Sequence, residues 1–302
     1  MRDSHEPAWA DSLGERRGRI WSFQSRAPSL TQAASNSLDV LLQRDRIIVA
    51  ISLLVITLMA WGYVLWLSAN MAMPSSSMPT MDMSGSSGLL APSFRSWGPA
   101  DFTFMFAMWA VMMVGMMTPS VAPMVLLYAA AGRKAAESGA PLASTGWFFA
   151  GYLAVWTTFS ALATFAQWAL TDLALLTPMM ATASAAIGGF VLLAAGLYQW
   201  TPLKDTCLRS CQAPLGFLTA HGGFRRDALG AVHLGVVHGA YCLGCCFALM
   251  ALLFVGGIMN LLWIAGLTIL IFLEKIIPGK IVPRFFGALI GVAGIWLLVG
   301  PA

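Results

Sequence analysis

The sequence predicts an all-α, polytopic membrane protein with about seven transmembrane helices. Hydrophobic residues make up 58% of the 302-residue chain and charged residues only 10%, whereas about a quarter of the residues of soluble domains are charged. Several apolar runs are long enough to cross a bilayer core about 30 Å thick. Only helices and closed barrels satisfy the backbone polar groups there, and runs this long and continuous are not barrel strands.

Seven apolar runs are the candidate transmembrane helices. The sixth is short, and if it is re-entrant the C-terminus moves to the other side of the membrane. Pro119 and Pro123 fall in the inner half of the second run, where we expect them to kink the helix. The runs are 47–69, 102–130, 147–170, 179–200, 231–258, 261–273 and 285–299.

Basic residues are distributed very unevenly between the two sides of this arrangement. With the N-terminus in the cytoplasm, 16 of the 17 Lys and Arg residues fall inside and only Arg95 falls outside. The positive-inside rule therefore predicts a multi-pass protein of the bacterial inner membrane with a cytoplasmic N-terminus. The net charge of +4 is a topology signal, and because no nucleic-acid motif occurs we expect no nucleic-acid partner.

The chain divides into a basic leader and a membrane domain. Residues 1–46 form a cytoplasmic, mostly disordered segment, with a short lead-in helix at 39–46. They are not a cleavable signal, because the first apolar run starts too late and is longer than a signal core. Residues 47–302 form the helical transmembrane domain, with an outside loop at 70–100.

The outside loop is rich in methionine. Five methionines fall within thirteen residues among Pro, Ser and Thr. Thioether sulfur is a soft ligand that suits Cu(I), so this loop is a candidate metal-capture segment. The alternative is a flexible linker that happens to be methionine-rich. The residues concerned are Met71, Met73, Met78, Met81 and Met83.

Methionines continue into the second run. Met108, Met112 and Met116 lie, together with Met105, within about 80° of one another on a helical wheel. Such a stripe can line a metal path, and it can equally be ordinary packing, since Met fills irregular gaps well. We expect it to face His238 and Cys242 of the fifth run, with Met112 or Met116 closest to them in depth.

The fifth run carries one histidine and three cysteines on one face. His238, Cys242, Cys245 and Cys246 fall within about 100° of one another, in a stretch without Asp, Glu, Lys or Arg. Soft and ionisable groups inside an apolar span indicate a functional site. Thiolate and imidazole suit Cu(I), which accepts two to four donors, and Zn(II), which usually takes four. The alternative is that the cysteines pack as small apolar residues.

A further pair, Cys207 and Cys211, lies in the cytoplasmic loop after the fourth run. The two are one turn apart if that loop begins helically, and no predicted outside loop holds a cysteine, so no disulfide framework is expected. Reduced thiols there are available to a metal. At the end of the sixth run, Glu274 and Lys275 are either a capping and anchoring pair or an inner gate.

These residues together resemble a known family, the bacterial integral membrane proteins described as predicted metal-binding proteins, a domain-of-unknown-function family. The resemblance spans the second to sixth runs and implies metal binding by Cys207, Cys211, Cys242, Cys245 and Cys246. The motifs that carry it are Met108-Trp109 with Met112-Met113 and Met116-Met117-Thr118-Pro119, Tyr198-Gln199-x2-Pro202-Leu203-Lys204-x2-Cys207-x3-Cys211, Tyr241-Cys242-x-Gly244-Cys245-Cys246 with Met250, and Glu274-Lys275 with Gly279.

The sequence thus favours a membrane protein that binds a soft metal for transport, homeostasis or delivery. Copper, as Cu(I), is favoured over zinc, and a carrier over an enzyme. Expected partners are the bilayer, the ion and a periplasmic or cytoplasmic metallochaperone. Two alternatives stay open: a membrane thiol redox enzyme or copper-dependent oxidoreductase, and an assembly or scaffold subunit whose Cys and Met merely pack.

Overall fold

The structure is a computed structural model that describes residues 28–72, 97–177 and 181–300, with the side chains of the first helix described from 47 to 69. Within these ranges the chain is helical, and its only extended pairing is an isolated bridge between Leu176 and Thr182. The all-α prediction is therefore confirmed.

Ten helices follow one another along the described ranges. They are α1 (Pro28–Ala72), α2 (Pro99–Glu137), α3 (Thr145–Asp172), α4 (Ala185–Tyr198), α5 (Pro202–Gln212), α6 (Pro214–Ala220), α7 (Ala228–Ala251), α8 (Leu253–Gly256), α9 (Leu261–Ile276) and α10 (Ile281–Val299).

Five of these segments are long and apolar enough to cross a membrane, and a sixth crossing exists if α4 and α5 form one span broken by a 65° bend. Seven crossings are not confirmed. The 16-residue α9 extends only about 24 Å, less than a hydrocarbon core about 30 Å thick. The external C-terminus depends on seven crossings and stays a prediction. The five segments are Ile47–Ala69 of α1, α2, α3, Ala228–Gly256 and α10.

The chain divides into two compact units, Met1–Ile48 and Val49–Ala302. In the first, the described backbone is helical from Pro28, earlier than the lead-in helix that we predicted from residue 39. The second unit holds every residue of the candidate site described below.

Polar caps fix where the helices around the site begin. The Thr201 hydroxyl accepts a hydrogen bond from the Lys204 backbone N–H at the start of α5, 3.3 Å away. Asp227 caps α7 and Asn260 caps α9 in the same way. Such side chains satisfy N–H groups that lack a partner inside the helix. Each cap therefore fixes the first residues of its helix, and Thr201 and Asn260 do so between two apolar segments.

Helix α7 lies directly against α3 because glycines remove side chains from the contact. Gly235 of α7 packs onto the Phe148 carbonyl oxygen, and Gly151 of α3 packs onto the Val232 carbonyl oxygen. Small residues let helix backbones approach closely, which is how helices commonly pack in bilayers. The contact brings the buried aromatic side chains of α3 against the cysteine face of α7.

Candidate functional site

The residues that we singled out on α7 do share one buried face. Cys242, Cys245 and Cys246 are at most 1% exposed and His238 is 3% exposed. The thiols of Cys245 and Cys246 each donate a hydrogen bond to the Cys242 carbonyl oxygen, both at 3.0 Å. These two sulfur atoms therefore lie against their own helix.

The two cysteines of α5 lie against the same face. Cys211 is half-buried and packs against the core that holds the cysteines of α7. Cys207 is buried, and its Sγ packs so closely on Gly244 that a Cβ there would lie 2.8 Å away. We predicted a loop for this pair, one turn apart if it began helically, and the two residues are one turn apart on α5. All five cysteines of the chain thus meet at the contact of α5 and α7 as free thiols.

The Cys242 sulfur lies between a phenol hydroxyl and an ammonium group. The Tyr152 Oη of α3 is 3.1 Å away, and the Lys275 Nζ of α9 donates to the sulfur at 2.9 Å. Lys275 also donates to Ser120 Oγ at 2.9 Å, and the Tyr152 hydroxyl donates to the Met117 carbonyl oxygen at 3.3 Å. Helices α2, α3 and α9 therefore all contribute contacts around one atom of α7.

The ammonium of Lys275 is buried without an acidic partner. It is 7% exposed, and in the described part of the chain no carboxylate lies within ion-pair distance of it. The adjacent Glu274 instead accepts hydrogen bonds from Lys204 Nζ at 2.7 Å and from Gln199 Nε2 at 3.0 Å. Burying a charge without a counter-charge is costly. A thiolate at Cys242 would supply the missing negative charge.

His238 lies one turn before Cys242 in an aromatic pocket. Its ring centroid is 5.9 Å from that of Phe148, 6.1 Å from that of Tyr152 and 4.9 Å from that of Phe217. Its Nδ1 is buried without a hydrogen-bond partner. Because buried polar atoms almost always have a partner, this nitrogen is a candidate metal donor.

The methionine stripe of α2 faces a different set of neighbours. Met108, Met112 and Met116 are each 2% exposed. They line two small apolar cavities between α1, α2 and α9, and both cavities are also lined by Val64 and Ile264. This region is called the methionine crevice below.

A different face of α2 makes the hydrogen bonds around Cys242. We expected Met112 or Met116 to be nearest to Cys242, but the contacts that α2 makes there come from the Met117 carbonyl and the Ser120 hydroxyl. These two positions lie about 80–140° around the helix from Met112. The periodicity grouped the methionines correctly but assigned the stripe to the wrong neighbour.

The capture loop lies outside the residues whose side chains the structure describes, so its role stays a prediction. The methionines concerned are Met71, Met73, Met78, Met81 and Met83.

No preformed metal cage occurs within the described ranges: no three His, Cys, Asp or Glu side chains are arranged to hold an ion. The local hydrogen bonds give the reason, because Cys245 and Cys246 point to a backbone carbonyl and Cys242 is held by Lys275. Binding an ion here requires these thiols to rotate away from their present partners.

Two residues of the site, Lys204 and Tyr152, were missed from the sequence. Lys204 was counted among the charges of the cytoplasmic loop, yet it is buried in an ion pair with Glu274. Lys275 was singled out only with Glu274, as an anchoring pair or an inner gate, and its ammonium lies at Cys242. Tyr152 carries no comparable signal, since a tyrosine in an apolar helix usually only packs.

A family model described as a copper chaperone, PpoB2, matches residues 106–297, which is more than half of the chain and includes all five cysteines. No curated protein and no solved structure matches the chain significantly. The match supports a copper-related family, and it does not single out the metal-binding membrane group that the motifs resemble.

Proposed function

We propose that this chain, which belongs to the PpoB2 family of copper chaperones, is a multi-pass membrane protein that binds Cu(I) at its buried cysteines for transport, homeostasis or delivery. The observation that carries the proposal is the convergence of all five free cysteines at the contact of α5 and α7. Thiolates are the donors that Cu(I) prefers. Copper is here the cargo of the protein.

Three thiols are the best candidates for the first ligands. Cys211 lies on α5, which packs against α7, the helix that carries Cys242 and Cys245. Cu(I) accepts as few as two donors, so these thiols would suffice for a site once they rotate away from their present partners. Cys246, Cys207 and the free Nδ1 of His238 are close enough on the same helices to complete or exchange the ligand set.

The membrane setting rests on the apolar helices and the basic residues. Up to six segments are apolar and long enough to cross a bilayer. Lys204 and Lys275 are buried, yet without them fourteen basic residues remain on the proposed inner side against Arg95 outside. This asymmetry supports the bacterial inner membrane with a cytoplasmic N-terminus.

The route that we favour runs from thioethers to thiolates. One of the two cavities is lined by Leu67 and Ser68, which lie near the end of α1, just before the methionine-rich loop. An ion captured by that loop would pass the methionine crevice and reach the cysteines. A metallochaperone would then exchange it on the cytoplasmic side. The same residues would serve export or delivery to a partner if the ion moved in the opposite direction, from the cysteines to the methionines.

The test is Cu(I) binding by the full-length protein, purified in detergent under reducing conditions. We expect about one bound ion per chain, lost in Cys242→Ser/Cys245→Ser and weakened in Cys207→Ser/Cys211→Ser. A matched control is Ser160→Ala, a buried hydroxyl on α3 that bonds only within its own helix. Copper binding that survives removal of Cys242 and Cys245 would contradict the proposal and favour a scaffold role.

A second candidate is a thiol redox enzyme, which the contacts of Cys242 favour. A cation beside a thiol is typical of reactive cysteines, and Lys275 lies 2.9 Å from this sulfur, with Cys211 on the helix packed against α7. Oxidation of Cys242 and Cys211 to a disulfide would transfer two electrons and two protons to a quinone or a partner disulfide. Turnover with such an acceptor in metal-free protein would support this function, and its absence would leave the carrier.

A further inference from the structure

We propose that Lys275 is the built-in counter-cation of the Cys242 site and makes that site select a monovalent over a divalent metal ion. The proposal rests on the proposed function, because it concerns the ion that the cysteines bind. It assigns a specificity role to a residue that binds no metal itself.

The first step is the position of the ammonium group. Lys275 Nζ is held at 2.9 Å from both the Cys242 sulfur and the Ser120 hydroxyl, so it is fixed from two helices. Its side chain is 7% exposed, and water therefore screens its charge poorly.

Among the described residues, no carboxylate competes with the cysteines for the positive charge of Lys275. Glu274 is the adjacent carboxylate, and it is engaged by Lys204 at 2.7 Å. Asp205, the other buried carboxylate, pairs with Lys280 and Arg284. The positive charge of Lys275 therefore remains available to the cysteine cluster alone.

The third step is the charge of the loaded site. Two thiolates and one ammonium carry a net charge of minus one, which a monovalent ion cancels. A divalent ion on the same ligands would leave a buried net positive charge, and that is costly away from water. Zn(II) also needs about four donors, whereas Cu(I) needs only two or three. Charge and coordination number thus favour the same ion.

The experiment compares Cu(I) and Zn(II) binding by the purified full-length protein, with Ag(I) as an air-stable monovalent probe. Lys275→Met removes the charge with little change of shape, and we expect it to raise Zn(II) affinity relative to Cu(I) by at least about tenfold. Lys275→Arg keeps the charge and should keep the wild-type ratio. Lys134→Met removes an exposed lysine in the last turn of α2 and should leave the ratio unchanged.

Each outcome of this binding comparison either supports or overturns the inference. An unchanged ratio in Lys275→Met overturns this inference alone. If that variant does not fold, Lys275→Gln takes its place with the same expected rise in relative Zn(II) affinity, and an unchanged ratio there overturns the inference. If the wild type binds neither ion through Cys242, the proposed function fails, which is a different outcome.

Discussion

The cysteine cluster and the methionine crevice are both buried, yet they are built from opposite chemistry. Around Cys242, the contacts are made by an ammonium, a phenol and a thiol. Around Met112, the neighbours are almost entirely apolar side chains of α1, α2 and α9. The cysteine cluster is held by polar contacts, whereas the methionine crevice offers uncharged sulfur atoms among apolar side chains.

This difference indicates a division of roles. An ion on neutral thioethers keeps its own positive charge among apolar side chains and is therefore bound only weakly, whereas buried thiolates require a counter-charge, which Lys275 is placed to supply. We therefore expect substitutions to have large effects on the cysteine side and small effects on the methionine side.

The largest expected effect is on the ion pair that anchors α5. In Glu274→Gln, Lys204 is left as an uncompensated buried charge, which costs about 3–5 kcal/mol of unfolding free energy. Denaturant unfolding of the detergent-purified protein measures this. The double change Lys204→Met/Glu274→Leu should be less destabilising than Glu274→Gln. A single variant as stable as the wild type would show that the pair does not hold α5 in place.

Glycine substitutions compare the packing of the two regions directly. In Gly235→Ala the new methyl group meets the Phe148 carbonyl oxygen, and we expect a loss of about 1–3 kcal/mol and weaker copper binding as Tyr152 moves away. In Gly115→Ala, on the methionine side, the methyl group meets the Ala60 Cβ at 3.2 Å, so the loss should be smaller. Gly266→Ala meets nothing within 4 Å and serves as the control. Equal losses at Gly235 and Gly115 would remove the contrast.

A smaller effect is expected from Tyr152→Phe, which deletes one hydroxyl beside Cys242. Loss of a typical buried hydrogen bond costs about 1 kcal/mol. Copper affinity should fall by a few-fold while the number of bound ions stays the same. Titration against a competing Cu(I) chelator checks this, and a complete loss of copper would mean that the phenol is itself a ligand.

The smallest effect on the amount of bound copper is expected in the methionine crevice. Replacing Met108, Met112 and Met116 together by Leu conserves volume, and each change should cost less than about 1.5 kcal/mol. Copper stoichiometry should not change, but loading of the protein in sealed vesicles from the side of the methionine-rich loop should slow. Unchanged loading would assign these residues to packing alone.

Local periodicity predicted much of this molecule. The apolar runs placed most helices to within a few residues, and the 3.6-residue period placed His238, Cys242, Cys245 and Cys246 on one face of α7. Periodicity does not state which neighbour a face meets, which is why the stripe containing Met112 was assigned to the wrong side.

Long-range contacts account for what was missed. The bend of 65° between α4 and α5 brings Cys207 and Cys211 back onto α7, and nothing in their spacing specifies that return. The same bend buries Lys204 against Glu274, 70 residues away in the sequence. Such pairs depend on the tertiary fold, so the sequence pattern alone cannot identify them.

The measurement that tests the central claim most directly is X-ray absorption spectroscopy of the purified full-length protein loaded with Cu(I). We expect a copper ion with two or three sulfur neighbours in the wild type. That sulfur signal should persist in the variant with Met108, Met112 and Met116 changed to Leu, and be lost in Cys242→Ser/Cys245→Ser. A copper ion ligated only by nitrogen and oxygen, or a sulfur signal unchanged by removal of Cys242 and Cys245, would contradict it.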